Sequence, residues 1–258
     1  MIFFKKNSLN IISLITILFL LTSCNKDEKK TEEMSFEELK QKTLSFLEQK
    51  KNDPAIENLE KIIAQYPENE NIAEYKLMLA DLYFNTGNLL SATQMYNHYK
   101  EFYPSDPKIE FAYYRSVLSK FYQTLKIECD QTDTEKTISL CQEYLDNTLF
   151  KTYRNDILDI KKTCEHKLID KEISIFNFYL KKGDYDTAGN RLKYLRNKHL
   201  DNNPEIEARL LFLEAKLAQK QKNENKLNEN IEILVSKFPE SSFTRMAERL
   251  GTKSNFIF

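Results

Sequence analysis

Residues 77–104 read LMLADLYFNTGNLLSATQMYNHYKEFYP, two apolar runs joined at Gly87 and closed by Pro104. Leu79, Ala80 and Tyr83 precede the glycine, while Ala92, Tyr96 and Pro104 follow it by 5, 9 and 17 residues. Apolar residues at such spacing share one face of a helix. The small Ala80 and Ala92 let two helices approach, and Tyr83 and Tyr96 are suited to fill space between neighbouring units. The stretch therefore predicts a helical hairpin, and a hairpin this small cannot bury its own apolar stripe without others stacked on it.

The same offsets recur along the chain. Lys50 takes the glycine's place in FLEQKKNDPAIENLEKIIAQYP (46–67), with Phe46, Ala55, Leu59 and Pro67 in register. Gly183 takes it in NFYLKKGDYDTAGNRLKYLRNKHL (177–200), with Tyr179, Ala188 and Leu192, and with Leu200 where the proline stood. Lys222 takes it in KLAQKQKNENKLNENIEILVSKFP (216–239), with Ala218, Leu227, Ile231 and Pro239. A less regular fifth unit pairs a first helix from Ile109 to about residue 125 with DQTDTEKTISLCQEYLDN (130–147), where Thr132 and Thr137 are in phase. The pattern resembles the tetratricopeptide repeat, whose period is about 34 residues. It predicts an all-α tetratricopeptide-repeat superhelix of about five helical hairpins, curved around an inner groove.

The phase points 50, 87, 132, 183 and 222 are separated by 37, 45, 51 and 39 residues, so two intervals need explaining. Residues 126–134 predict a polar loop within the third unit. Thr152 to Lys182 contains no Gly or Pro and predicts one helix of about 46 Å at 1.5 Å per residue. Asp53-Pro54 reads as a capped helix start. Tyr-Pro at 66 and 103 and Phe-Pro at 238 end second helices, because a residue before proline avoids the helical region. A short helix over about 242–250 is expected to close the array.

At the other end, Lys5 and Lys6 precede an apolar stretch of 13 residues, Leu9 to Leu21. That is shorter than the roughly 20 residues a membrane-spanning helix needs, and it has the layout of a secretory signal. Leu21-Thr22-Ser23-Cys24 resembles the bacterial lipobox, which implies cleavage before Cys24 and lipidation of that cysteine. Residues 1–23 then form a signal peptide and 24–35 a charged, lipidated tether. Repeats 1–3 occupy 36–144, and repeats 4–5 with the closing helix occupy 145–258. Asn25 after the lipidated cysteine fits sorting to the outer membrane, with the repeats on its periplasmic face.

From Cys24 onward, 36 basic residues face 39 acidic ones, a net charge of −3. The two signs are interspersed, which speaks for solvated helix faces and against nucleic acid. Cys129, Cys141 and Cys164 remain as either one disulfide with a leftover thiol or three core thiols. His98, His166 and His199 fall in different units, Cys164-Glu165-His166 lacks a second ligand pair at metal spacing, and no glycine loop can cradle a phosphate. The expected class is a binding array and not an enzyme, with no cofactor and no metal. A reactive Cys164–His166 pair is the enzymatic alternative.

NHYKEFYPSDPKIEFAYYRSVL (97–118), DQTDTEKT (130–137) and FYLKKGDYDTAGNRLKYL (178–195) together resemble the BamD family, also called ComL or YfiO, of outer-membrane assembly lipoproteins. The departures are Leu149 and Leu200 where the family ends helices with Tyr-Pro, and Ser116 in place of a glycine. The resemblance implies a lipid-anchored subunit of the β-barrel assembly machinery. Its implied partners are the periplasmic domains of the barrel-forming subunit, other assembly lipoproteins and unfolded outer membrane proteins. It assigns docking to Arg191, beside Asn190, with the Arg191 side chain expected to point away from its unit's core. Unfolded clients are expected along the first helices of units one and two, near Tyr75 and Tyr83. The competing class is a periplasmic tetratricopeptide lipoprotein that scaffolds cell-wall synthesis or pilus assembly.

Overall fold

The computed structural model describes residues 34–199 and 204–254, in eleven helices with no strand among the described residues. The signal peptide and Cys24 lie outside them. Five hairpins follow one another: α1 (Phe36–Glu48) with α2 (Asn52–Gln65), α3 (Ile72–Asn85) with α4 (Leu89–Phe102), α5 (Ile109–Phe121) with α6 (Thr132–Asp146), α7 (Arg154–Lys182) with α8 (Tyr185–His199), and α9 (Pro204–Lys220) with α10 (Glu224–Lys237). The closing helix α11 (Ser242–Ser254) packs on both helices of the last hairpin. Each helix otherwise packs mainly on its neighbours in sequence. This is the all-α tetratricopeptide superhelix of five hairpins that the repeat offsets predicted.

Backbone geometry explains why the offsets work. Lys50, Gly87, Gly183 and Lys222 have φ of 56°, 81°, 85° and 58°, and among the described residues no others have positive φ. Each turns the chain out of a first helix through the left-handed conformation that ends helices. The residue after three of them caps the next helix. Asn88 accepts from the Ser91 amide at 3.4 Å, Asp184 from Thr187 at 3.1 Å, and Asn223 from Lys226 at 3.1 Å. At the far ends, Tyr66, Tyr103 and Phe238 stand just past α2, α4 and α10 with φ near −130° (−127°, −128° and −132°), as a following proline demands. Asp53 does not cap α2. The helix begins one residue earlier, at Asn52, after Lys51, and Asp53 lies inside its first turn.

The third unit differs in detail from expectation. α5 stops at Phe121 and α6 starts at Thr132, so the loop spans 122–131, earlier than the 126–134 expected. The buried Ser116 on α5 sits where its hairpin turn would be at 123, whereas the buried Thr137 on α6 is phased to 132. The insertion is thus nine residues between two helices that each keep the repeat register. The long helix runs for 29 residues, Arg154–Lys182, about 43 Å. Its first half packs Ile157, Ile160 and Cys164 with α5 and α6. Its second half packs Ile169, Ile173, Phe176 and Leu180 with the buried faces of α8, α9 and α10. The core therefore passes from one cluster to the next inside a single helix.

Between α6 and α7, where Leu149 replaces a proline-bound stop, side chains hold the exit. Glu110 on α5 accepts from the Tyr144 hydroxyl at 2.5 Å, the Thr152 amide at 2.6 Å and the Thr152 hydroxyl at 2.9 Å. Burial pushes the Glu110 carboxyl up, but the donors of Tyr144 and Thr152 outweigh it and bring it below its ordinary value.

Gly87→Ala meets no atom within 4 Å, so its cost is the backbone alone and should be about 1 kcal/mol. Lys50→Gly should instead stabilise by about 0.5–1 kcal/mol, since relief of left-handed strain exceeds the added chain entropy. Urea midpoints check both, and a lower midpoint for Lys50→Gly would refute strain at this turn. Because the folded carboxyl of Glu110 titrates below the unfolded one, its stabilisation is present above the unfolded pKa of about 4.3 and lost as pH falls through the folded value. Glu110→Gln should cost about 1 kcal/mol at pH 7, since these bonds are largely solvent-exposed, and flatten the loss of stability as pH falls below about 4.3; thermal melts across that range measure it.

Candidate functional site

The fourth hairpin carries the residues singled out for docking. α7 ends because Gly183 adopts φ +85°, with the Gly183 and Asp184 amides returning to the carbonyls of Leu180 and Tyr179. α8 then buries Ala188, Leu192 and Leu195. Asn190 is exposed. Arg191, with its side chain 39% exposed, places Nη1 3.5 Å from Oε2 of Glu172, which is 17% exposed. Arg191 does not simply point away from its unit, as the sequence suggested.

The repeat register supplies the reason. Eight residues after the turn stand Asn58, Met95, Arg191 and Asn230, of which Asn58 and Asn230 are only 5% exposed. Eleven before it stand Leu39, Lys76, Glu172 and Leu211, of which both leucines are buried. Arg191 and Glu172 thus occupy two inward-facing repeat positions, and their charges turn that contact into an ion pair. Glu172 was missed in the sequence. The signal for it was an acid in a column that holds leucine in the first and last units.

Further pairs fasten the neighbouring helices. Arg196 on α8 reaches Glu214 on α9 at 2.9 Å, and Arg209 on α9 reaches Asp170 on α7 at 2.7 Å. With these bonds holding α7, α8 and α9 together, the Arg191 guanidinium sits on a rigid platform. A half-exposed ion pair contributes about 0–1 kcal/mol, so a carboxylate from outside could displace Glu172 at little cost. An arginine can hold such a carboxylate bidentately.

The residues expected to face a client are differently disposed. Tyr75 is 8% exposed and stacks edge-on against Phe36, with ring centroids 5.8 Å apart. It belongs to the core of units one and two and offers a peptide no surface, because its position on α3 faces α1. Tyr83 is half-buried, and its hydroxyl donates to Glu60 on α2. The accessible surface on α3 is a cleft of about 220 Å³ lined by Glu74, Leu77, Met78, Asp81, Leu82 and Lys108. Beside it, Arg115 on α5 binds Asp81 at 3.3 Å and the Tyr96 hydroxyl at 3.2 Å, and lies 3.7 Å from the centroid of the Phe84 ring.

Cys129 is exposed, Cys141 and Cys164 are buried, and all three are free thiols. Burial pushes the Cys141 thiol up to about 12 and the Cys164 thiol up to about 11, so neither is poised as a nucleophile. Among the described residues there is no group of three or more His, Cys, Asp or Glu able to hold a metal ion, and no helix is long and apolar enough to cross a membrane.

The stacked hairpins and their grooves define a tetratricopeptide-type array. A family model described as YfiO, outer membrane lipoprotein, matches residues 32–230, and the chain belongs to that family. The outer membrane protein assembly factor BamD of Caulobacter vibrioides is 23% identical over 163 residues, which are 63% of this chain and 53% of that protein. The chain thus matches about half the length of that curated relative. A crystal structure of a tetratricopeptide repeat protein from Parabacteroides merdae aligns with a TM-score of 0.38 at 13% identity, covering 85% of this chain and 87% of that one.

Proposed function

We propose that the protein is a non-enzymatic, lipid-anchored subunit of β-barrel assembly at the outer membrane. In this reading Cys24 carries the anchor on the periplasmic side, and the array binds other proteins. The α7–α8 hairpin docks the periplasmic domains of the barrel-forming subunit through Arg191, with the exposed Asn190 beside it, and other assembly lipoproteins join the same complex. The observation that carries the proposal is the family match over most of the chain. The Arg191–Glu172 pair supports it with a rigid arginine whose present partner is displaceable.

Unfolded outer membrane proteins are received at the other end. The cleft on α3 suits an extended peptide because it offers the partly exposed Met78 beside the charged Asp81 and Lys108. Tyr83 and Tyr75 shape this region from behind through packing.

Arg191→Glu should abolish copurification of a large β-barrel protein from detergent-solubilised membranes while leaving the helical circular dichroism spectrum intact. Undiminished recovery would refute the docking role, and recovery of cell-wall synthases in place of the barrel protein would favour a scaffold of wall synthesis. A photoreactive residue at Met78 should crosslink to C-terminal peptides of barrel proteins. The same residue at the exposed Leu149, far along the chain, should not, and equal labelling at both positions would count against a client groove on α3.

A further inference from the structure

Docking through Arg191 leaves the nine inserted residues of the third unit unexplained. They form a wall fixed against the long helix. Lys167 on α7 donates to the Thr124 hydroxyl at 2.9 Å, and Lys171 donates to the Glu128 carbonyl at 3.0 Å. Within the loop, the Gln131 side-chain amide donates to the carbonyls of Lys126 at 2.8 Å and Cys129 at 3.1 Å. Between this wall, α7 and the C-terminal end of α8 lies a cleft of about 410 Å³. Its apolar surface comes from Leu168 and from Tyr194, which is 41% exposed. Clefts bounded by fixed walls, mixing apolar area with a few polar groups, are the usual form of a recognition site.

The cleft's charge is one-sided. Glu128, Asp130, Glu135 and Glu172 line it against two lysines, Lys171 and Lys198. Both lysines are engaged, Lys171 with the loop carbonyls and Lys198 with the Tyr194 hydroxyl at 2.8 Å and Glu135 at 3.8 Å. Glu172 is shared, because it lines the cleft and also pairs with Arg191.

We infer that this cleft seats a Lys or Arg side chain, flanked by an apolar residue, from the protein segment that docks beside Arg191. The inference rests on the docking reading and deepens it. When a partner carboxylate takes Arg191, Glu172 loses its counter-ion, and a partner cation entering the cleft supplies a new one. One internal ion pair is exchanged for two across the interface, so that Glu172, 17% exposed, keeps a counter-ion. The inserted loop then has a function: it provides the acidic wall that makes the site read an acid and a base side by side, a form of charge complementarity that sets specificity.

The test uses the purified protein as a Cys24→Ser form and the purified periplasmic domain of the barrel subunit it copurifies with. Glu128→Lys with Asp130→Lys should weaken the complex about tenfold or more, whereas Glu68→Lys with Glu70→Lys, exposed residues between α2 and α3, should change it less than about twofold. A neutral steric plug separates occupancy from long-range attraction. Alkylation of the exposed Cys129 with a bulky maleimide should weaken binding to a similar degree. Full affinity after both changes, with Arg191→Glu still disruptive, overturns the cleft inference and leaves docking standing. Full affinity with Arg191→Glu overturns the docking reading, and the cleft inference falls with it.

Discussion

One helix holds the two ends of the array together. α7 buries Ile157, Ile160 and Cys164 in the core made with α5 and α6, then Ile169 to Leu180 in the core made with α8 to α10. A helix about 43 Å long cannot bend sharply without losing hydrogen bonds. The orientation of the third unit relative to the fourth is therefore set by how far one buried stripe rotates around α7 before the next begins. Lys167 and Lys171, on the same helix, pin the inserted loop, and Glu172, one residue further on, orients Arg191. Arg191, the acidic wall and both cores are thus referred to a single rigid rod.

Elsewhere the array relies on a repeated local device, a left-handed residue between helices followed by a polar cap. That lysines occupy the left-handed position at 50 and 222 while glycines occupy it at 87 and 183 shows that the stacking, and not residue preference alone, imposes the turn. Two of these units therefore hold a strained conformation that their neighbours' packing sustains. Where the proline stop is missing, between α6 and α7, the hydrogen bonds of Glu110 to Tyr144 and Thr152 hold the chain's exit.

Charge works in this protein by position and not by amount. The sequence total is close to neutral, yet the third and fourth units collect acids on an inserted loop and set Arg191, paired with Glu172, beside them. Such an arrangement contributes little to stability, since exposed pairs rarely do. It suits recognition, in which an internal partner can be exchanged for an external one.

From the sequence alone, the all-α hairpin array, four of the five turn positions, the helix stops before Pro67, Pro104 and Pro239 and the unbroken long helix could all be read, because each depends on residues within one or two helical turns. What only the tertiary structure decided are relations between residues 15 to 45 positions apart: that Tyr75 is buried under Phe36, that Glu172 faces Arg191, and that the loop at 122–131 closes over α7 to form a cleft. Helical periodicity states which face of a helix is apolar. It carries no information on which charged residue of one helix will meet which residue of the next, since that depends on how the stacked units rotate against one another.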